Sequence, residues 1–361
     1  MKIRGLFCSV IMLSAVACSK MSDNKPQLDL VYSNDTYQLT GVAITNTNRV
    51  FTNYPLWSDV YRYAVTEING KTTETAYPNT EMNSWNPGQD GLSKWVCVQA
   101  VVAGKNNKLW VVDPASPKMQ GVYNNSNKLV KIDLTNNTVE RVYPVNTAAG
   151  PGSYINDVRV DEERGIAYMT NSQEGGIVIV DLNTGNVRQV LQGHYSVLSD
   201  PSFTFIIDGK ELRKNGQPVK IHSDGIALSP DREWLYYKPL TDDKLYRIRT
   251  EFLRDASLTG TALGAKVEDL GRFTTTDGMI LDKFGNLYLG DLQHNRIVRI
   301  TPDMRMKEVI SDERLIWPDS YSISEDGYLY ISCSQINKQP EYNEGVNKRT
   351  SPYTIFRINI L

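Results

Sequence analysis

No stretch of this sequence reads as a long amphipathic helix, and no apolar run is long enough to cross a bilayer. The first absence argues against an all-helical architecture and the second against a bundle of membrane-spanning helices. Lys and Arg (39) nearly balance Asp and Glu (41) and nowhere form a block or stripe, so the electrostatic footprint of a nucleic-acid binder is missing. The four cysteines include no CxxC pair and none near a histidine at zinc spacing, which argues against a metal knuckle. Nucleophile elbow, P-loop, Rossmann and zinc-protease signatures are absent too, leaving those catalytic routes without support.

The chain starts with a targeting segment. Lys2 and Arg4 precede an apolar stretch from Leu6 to Ala17, followed by small residues leading to a cysteine in "SAVACSK". This layout predicts a signal peptide over 1–17 with a lipobox-like end. Its resemblance to bacterial lipoprotein signals implies cleavage before Cys18 and acylation of that thiol. Residues 18–27 would then be a polar tether, and the protein an exported lipoprotein held by its lipid anchor on the periplasmic or cell-surface side of a membrane. The competing reading is an ordinary signal with a chance cysteine. Oligomerisation carries no signal, and a monomer is expected.

Beyond the tether, one short pattern keeps returning: apolar alternation, a turn, then a second apolar run. It occurs at 40–53, 99–113, 156–171, 224–239, 277–291 and 319–334, for example "DGIALSPDREWLYYKP" and "DGMILDKFGNLYLGD". Starts roughly 40 to 70 residues apart have the scale of propeller blades. Third strands follow in "NKLVKIDL", "GGIVIVDL", "DKLYRIRT", "NRIVRIT" and "TIFRINI", and fourth strands in "NTVERVYPV" and "GNVRQVL". Only "TEFLRD" suggests a helical turn. Many short strands with evenly spaced turns predict an all-β fold, and six copies predict a six-bladed β-propeller over 28–361. The last unit ends after three strands, so "LDLVYS" (28–33) is expected to join the last blade and close the ring. A β-sandwich with an appended domain would not explain the sixfold template.

With the units in register, one entry position per blade emerges: Thr40, Gln99, Asn156, Asp224, Asp277 and Asp319. Inner strands of a propeller all start at one face, so these six side chains should encircle one mouth of the channel as a polar, mostly acidic ring. An Asp before Gly can equally serve as an Asx-turn acceptor within its own loop. Turn chemistry is the expected role of Asp231, Asp282 and Asp326 at the hairpin tips. Convergent carboxylates, by contrast, repel, and must hold a cation or share protons. Close in sequence lie His222 and Tyr154, and Trp317. His222 and Asp277 are the candidate acid–base groups, and Trp317 with Trp85 and Trp95 are candidate walls of the entrance. The longest interval holds a polar ribbon, "SFTFIIDGKELRKNGQPVKIHS" (202–223), with turns at Asp208-Gly209 and Asn215-Gly216. Cys97 and Cys333 are separated by the first blade, beyond disulfide reach, and are expected as buried thiols.

The segments "YINDVRVDEERGIAYMTNS", "DGIALSPDREWLYYKPLTDDKLYRIRTEFLRD", "DGMILDKFGNLYLGDLQHNRIVRI" and "WPDSYSISEDGYLYIS" resemble, in the same order, the bacterial branch of the major royal jelly protein/Yellow family, related to L-dopachrome tautomerase. The resemblance implies an exported six-bladed propeller that binds, or isomerises, a small polar or aromatic molecule at the channel mouth, with Thr40, Gln99, Asn156, Asp224, Asp277, Asp319 and Trp317 as its contacts. A more distant resemblance to the gluconolactonase/senescence-marker group implies Ca²⁺ at Asn156, Asp224 and Asp277 and hydrolysis of a sugar lactone. There the sequence departs from the pattern, because Thr40 stands where that group has an acid. A third reading is a non-catalytic surface interaction module.

Overall fold

The computed structural model of the protein describes residues 26–361. The signal segment and Cys18 lie outside the described residues. Six four-stranded antiparallel sheets are arranged as a β-propeller, five of them built in sequence order. Their innermost strands are Val42–Ile44, Ala100–Ala103, Ile155–Asp161, Ser223–Leu228 and Met279–Leu281. The sixth sheet runs outward from Pro318–Ile323 through Tyr328–Cys333 and Tyr353–Asn359. It is completed by Asp29–Asn34 from the other end of the chain, which pairs antiparallel with Tyr353–Asn359. Closure by the N-terminal strand is thus as the sequence predicts, and it joins the two ends of the ring by main-chain hydrogen bonds.

Burial follows strand position. The second strand of a blade is covered on both faces by neighbouring blades, so a run such as "KLWVVD" (Lys108–Asp113) is buried at every residue but the first. An outermost strand such as Glu268–Arg272 is mostly exposed and correspondingly polar. Apolar side chains gather in a separate cluster between each adjacent pair of blades. Phe51 and Val65 meet Val111 and Val130 between the first two, and Tyr32 and Ile355 meet Val42 and Tyr54 across the closure. The hairpin acids form turns, as expected: Asp282 Oδ1 accepts the N–H groups of Phe284 and Asn286 at 2.9 and 2.8 Å. "TEFLR" is one helical turn, Thr250–Arg254. A second short helix, Gly260–Gly264, was not predicted, since its glycines and threonine carry little helix signal.

The long insertion folds into two miniature hairpins, Ile206–Ile207 with Lys210–Glu211 and Arg213–Lys214 with Gln217–Pro218. The turn pairs Asp208-Gly209 and Asn215-Gly216 all have positive φ, the backbone that a two-residue hairpin turn requires. Phe205, Ile207, Leu212 and Val219 from this ribbon pack on Leu240, Leu292, Trp317 and Ile336 from three blades. The ribbon therefore has its own small core and sits as a cover over one mouth of the channel.

Candidate functional site

The entry residues meet around the axis because the inner strands approach each other closely there. A Cβ on Gly225 would lie 2.6 Å from the Asp277 carbonyl oxygen, and one on Gly278 would lie 2.5 Å from that of Asp319. The Asp-Gly step is explained by this contact: the acid faces its neighbours while the glycine lets the next blade's backbone pass. Polar bonds run round the same belt. Thr40 Oγ1 donates to the Gln99 carbonyl at 3.0 Å, Thr170 Oγ1 to that of Asp224 at 2.8 Å, and the Gly278 N–H to that of Asp319 at 2.7 Å. Ser332 Oγ donates to the Thr40 carbonyl across the ring closure.

Three inner strands carry a register shift just at the entry, between Ile155 and Val158, Ser223 and Ile226, and Pro318 and Tyr321. Such a bulge inserts an extra residue and re-aims side chains. In the third blade it adds Asp157, whose carboxylate pairs with Arg159 at 2.9 Å. Arg159 Nη2 also reaches the Met279 carbonyl of the fifth blade at 2.7 Å, so this side chain bridges the channel.

Above that bridge, Asn156 Nδ2 donates to Asp224 Oδ2 at 2.7 Å, and Trp317 Nε1 donates to Asp277 Oδ2 at 2.7 Å. Asp224 and Asp277 are within hydrogen-bonding reach of each other, which requires one proton between them. Burial, reinforced by the Asp277 charge, pushes Asp224 well above the usual carboxylate range. Burial also raises Asp277, to about 6, against the opposing hydrogen bond from Trp317. Asp319 is raised by burial and by the Asp277 charge, and its Oδ2 has no partner among the described residues. Trp317 itself has φ of 54°, a left-handed backbone that a bulky residue adopts only at a cost. That backbone places its indole N–H on Asp277.

A cavity of about 70 Å³ opens over this pair. Gln99, Tyr154, Asn156, Asp224, Asp277 and Trp317 line it from the propeller, Lys214, Lys220 and Ile221 from the ribbon, and Trp57, Met119 and Tyr342 from loops. Tyr154 is fixed between two partners, accepting from Trp57 Nε1 at 2.9 Å and donating to Gln99 Oε1 at 2.8 Å. Thr40 and Asp319 stand behind the wall rather than in it. His222 is likewise outside the lining. Its Nδ1 accepts the Ser199 N–H at 2.9 Å, its backbone N–H donates to the Ser172 carbonyl at 3.0 Å, and burial lowers its pKa. Its place is at the stem of the ribbon. Trp85 and Trp95 also differ from expectation: both are buried, Trp85 beside Cys97 and Ala115 and Trp95 in the core between the first two blades. Cys97 and Cys333 are free and buried.

Trp57, Met119 and Tyr342 went unnoticed in the sequence because they sit in loops with no periodicity, and Lys214 because nothing in the ribbon's own pattern shows that its hairpin reaches the channel mouth. Lys238 was missed as well. It occupies the second-strand position held by Thr52, Thr170 and Ser332 in other blades, and donates to the Pro239 and Asp242 carbonyls at 2.6 and 2.8 Å. Burial lowers it to about 8, partly offset by Asp242, Asp224 and Asp277.

The predicted metal set does not fit Ca²⁺ as arranged. The cation would need converging oxygens. Here N–H donors occupy Asp224 Oδ2 and Asp277 Oδ2. Among the described residues no three His, Cys, Asp or Glu side chains gather as a metal site. The arrangement suits a shared proton, a buried donor and acceptor poised near neutrality.

A family model described as Major royal jelly protein matches residues 96–360. Major royal jelly protein 6 of Apis mellifera is 24% identical over 244 residues, 63% of this chain and 52% of that protein. The chain thus spans about half the length of that relative. Among solved structures, a luciferin-regenerating enzyme superposes with a TM-score of 0.55 at 13% identity, covering 93% of this chain and 96% of that one. A gluconolactonase from Xanthomonas campestris gives 0.55 at 11% identity, covering 92% and 89%. At these identities the two structures speak for the fold alone.

Proposed function

The chain belongs to the major royal jelly protein family, and on that premise we propose that it binds a small polar or aromatic molecule in the cavity beneath the ribbon, with Asp224 and Asp277 recognising a cationic or proton-donating group. The observation that carries this reading is a close pair of buried acids at the floor of a cavity whose walls include Trp57, Tyr154, Trp317 and Tyr342. An ammonium or hydroxyl bound there relieves the repulsion that burial imposes on the pair, while Trp57, Tyr154, Trp317 and Tyr342 supply planar contact.

The same pair supports isomerisation. Ionised Asp277 removes a proton from the bound molecule, neutral Asp224 delivers one at another atom, and the remaining proton passes back between the two carboxyls, so that no net charge is created in the buried site. Trp317 holds Asp277 in position throughout. We further propose that the protein is exported and tethered through acylated Cys18, as its first eighteen residues suggest.

The test is a thermal-shift and calorimetric screen of aromatic amines against the mature chain and its Asp224→Asn and Asp277→Asn variants. Binding that survives both substitutions would leave the interaction-module reading in its place. A chelator should leave the melting temperature unchanged. A Ca²⁺-dependent melting temperature with lactonase activity would favour the hydrolase instead.

A further inference from the structure

Lys214 brings to this cavity a charge that is paired only loosely, with Glu341. It lies in the second miniature hairpin of the ribbon, beside the Asn215-Gly216 turn, with its side chain about a third exposed (33%). The hairpin tip is fixed, since the Asn215 N–H bonds the Glu341 carbonyl at 2.7 Å. The ammonium is poorly served: Nζ is 3.6 Å from the Met119 sulfur, 3.9 Å from Glu341 Oε1 and 5.5 Å from the centre of the Tyr342 ring. A lysine carries three N–H donors, and none of these contacts is an oxygen at hydrogen-bonding distance. Lys220, the other cation in the lining, directs its donors to the Asp200 and Phe203 carbonyls at 3.1 and 3.0 Å. Lys214 is therefore the lining cation with unfilled capacity, and it belongs to the cover, while the acid pair forms the floor.

We infer that Lys214 is a specificity-determining residue that takes a carboxylate or similar anionic group of the ligand, so that the pocket selects small bipolar molecules with a proton-donating or cationic group toward Asp224 and Asp277 and an anionic group toward the ribbon. This rests on the floor reading above. The closed cavity is small for an aromatic ligand. Lys214 and Met119 have long unbranched side chains that can swing to enlarge it, and an anion arriving with the ligand gives Lys214 a reason to close again.

Calorimetry on the mature chain with three probes of one skeleton separates the poles: phenethylamine (cation only), phenylalanine (both groups) and 3-phenylpropionate (anion only). Phenylalanine should bind about tenfold or more tighter than phenethylamine, as one charge-assisted hydrogen bond allows. Lys214→Met should erase that preference and leave phenethylamine within about twofold. Lys214→Glu should reverse it, a change of sign that a merely disordered ribbon would not produce. Asp277→Asn should weaken both amines. If phenylalanine binds no tighter than phenethylamine, or Lys214→Met weakens both alike, the role given to Lys214 is wrong while the floor reading stands. If none of the probes binds, or Asp277→Asn changes nothing, the floor reading falls and this inference with it.

Discussion

Replacing Asp277 by Asn should stabilise the protein at neutral pH while weakening ligand binding. The carboxyl rises from its ordinary 3.8 to about 6 in the folded protein. Because the folded value lies above the unfolded one, the unfolded chain releases this proton first. The stabilising effect of the neutral acid is fully present below about pH 4 and is lost as pH rises through 6. At about 1.4 kcal/mol per unit, the loss is about 3 kcal/mol. Asparagine has the same shape, can accept the Trp317 N–H and can donate to Asp224, so it keeps the contacts without the charge. With an unfolding entropy of about 2.1 cal/mol/K per residue, a chain of this length should gain about 4 °C at pH 8. The assay is a thermal melt of both proteins from pH 4 to pH 8. The gap should be near zero at pH 4 and open through pH 6. A variant that melts no higher than the parent at pH 8, or a gap independent of pH, would refute the proton-sharing argument.

Other substitutions probe the frame that holds the pair. Trp317→Phe leaves Asp277 Oδ2 without its donor, which should cost about 1–3 kcal/mol and move the pH-dependent melting step upward. Gly278→Ala drives a methyl group against the Asp319 carbonyl and should destabilise by about 1–3 kcal/mol in urea titrations. Lys128 and Asp113 form a fully buried pair at 2.7 Å, so Lys128→Met should cost about 3–5 kcal/mol by the same measurement without changing ligand preference. Mass spectrometry of the mature N-terminus should find an acylated peptide beginning at Cys18. An unmodified peptide starting elsewhere would end the tether proposal.

The hairpin repeat and the closing strand were legible because a blade imposes the same alternation and turn chemistry each time it is written. Asp224, Asp277 and Asp319 could be aligned for that reason, and an Asp-Gly step marks a backbone contact that tolerates no Cβ. What register could not tell was depth. The bulges bring Asp157 into play, and the belt turns Thr40 into a backbone clamp behind the wall. His222 is close to Asp224 in sequence, yet it faces the stem of the ribbon, because it lies just before the strand Ser223–Leu228 and its ring accepts the Ser199 N–H instead. Trp85 and Trp95 looked like entrance residues because their loop is long and aromatic, but two indoles buried there stabilise more than they would exposed to water. The cover was the hardest to read. Its hairpins were visible in Asp208-Gly209 and Asn215-Gly216, whereas their seat over the acid pair depends on Phe205 meeting Trp317, a contact between distant loops.

The most direct measurement is a crystal structure of the mature chain soaked with phenylalanine. The account predicts ligand density beneath the ribbon, its nitrogen within about 3 Å of an Asp224 or Asp277 oxygen and its carboxylate toward Lys214. Density beside Arg159 at the opposite end of the channel, or in the outer groove between Val187–Val190 and Gly260–Gly264, with the space above Asp277 unchanged, would contradict it.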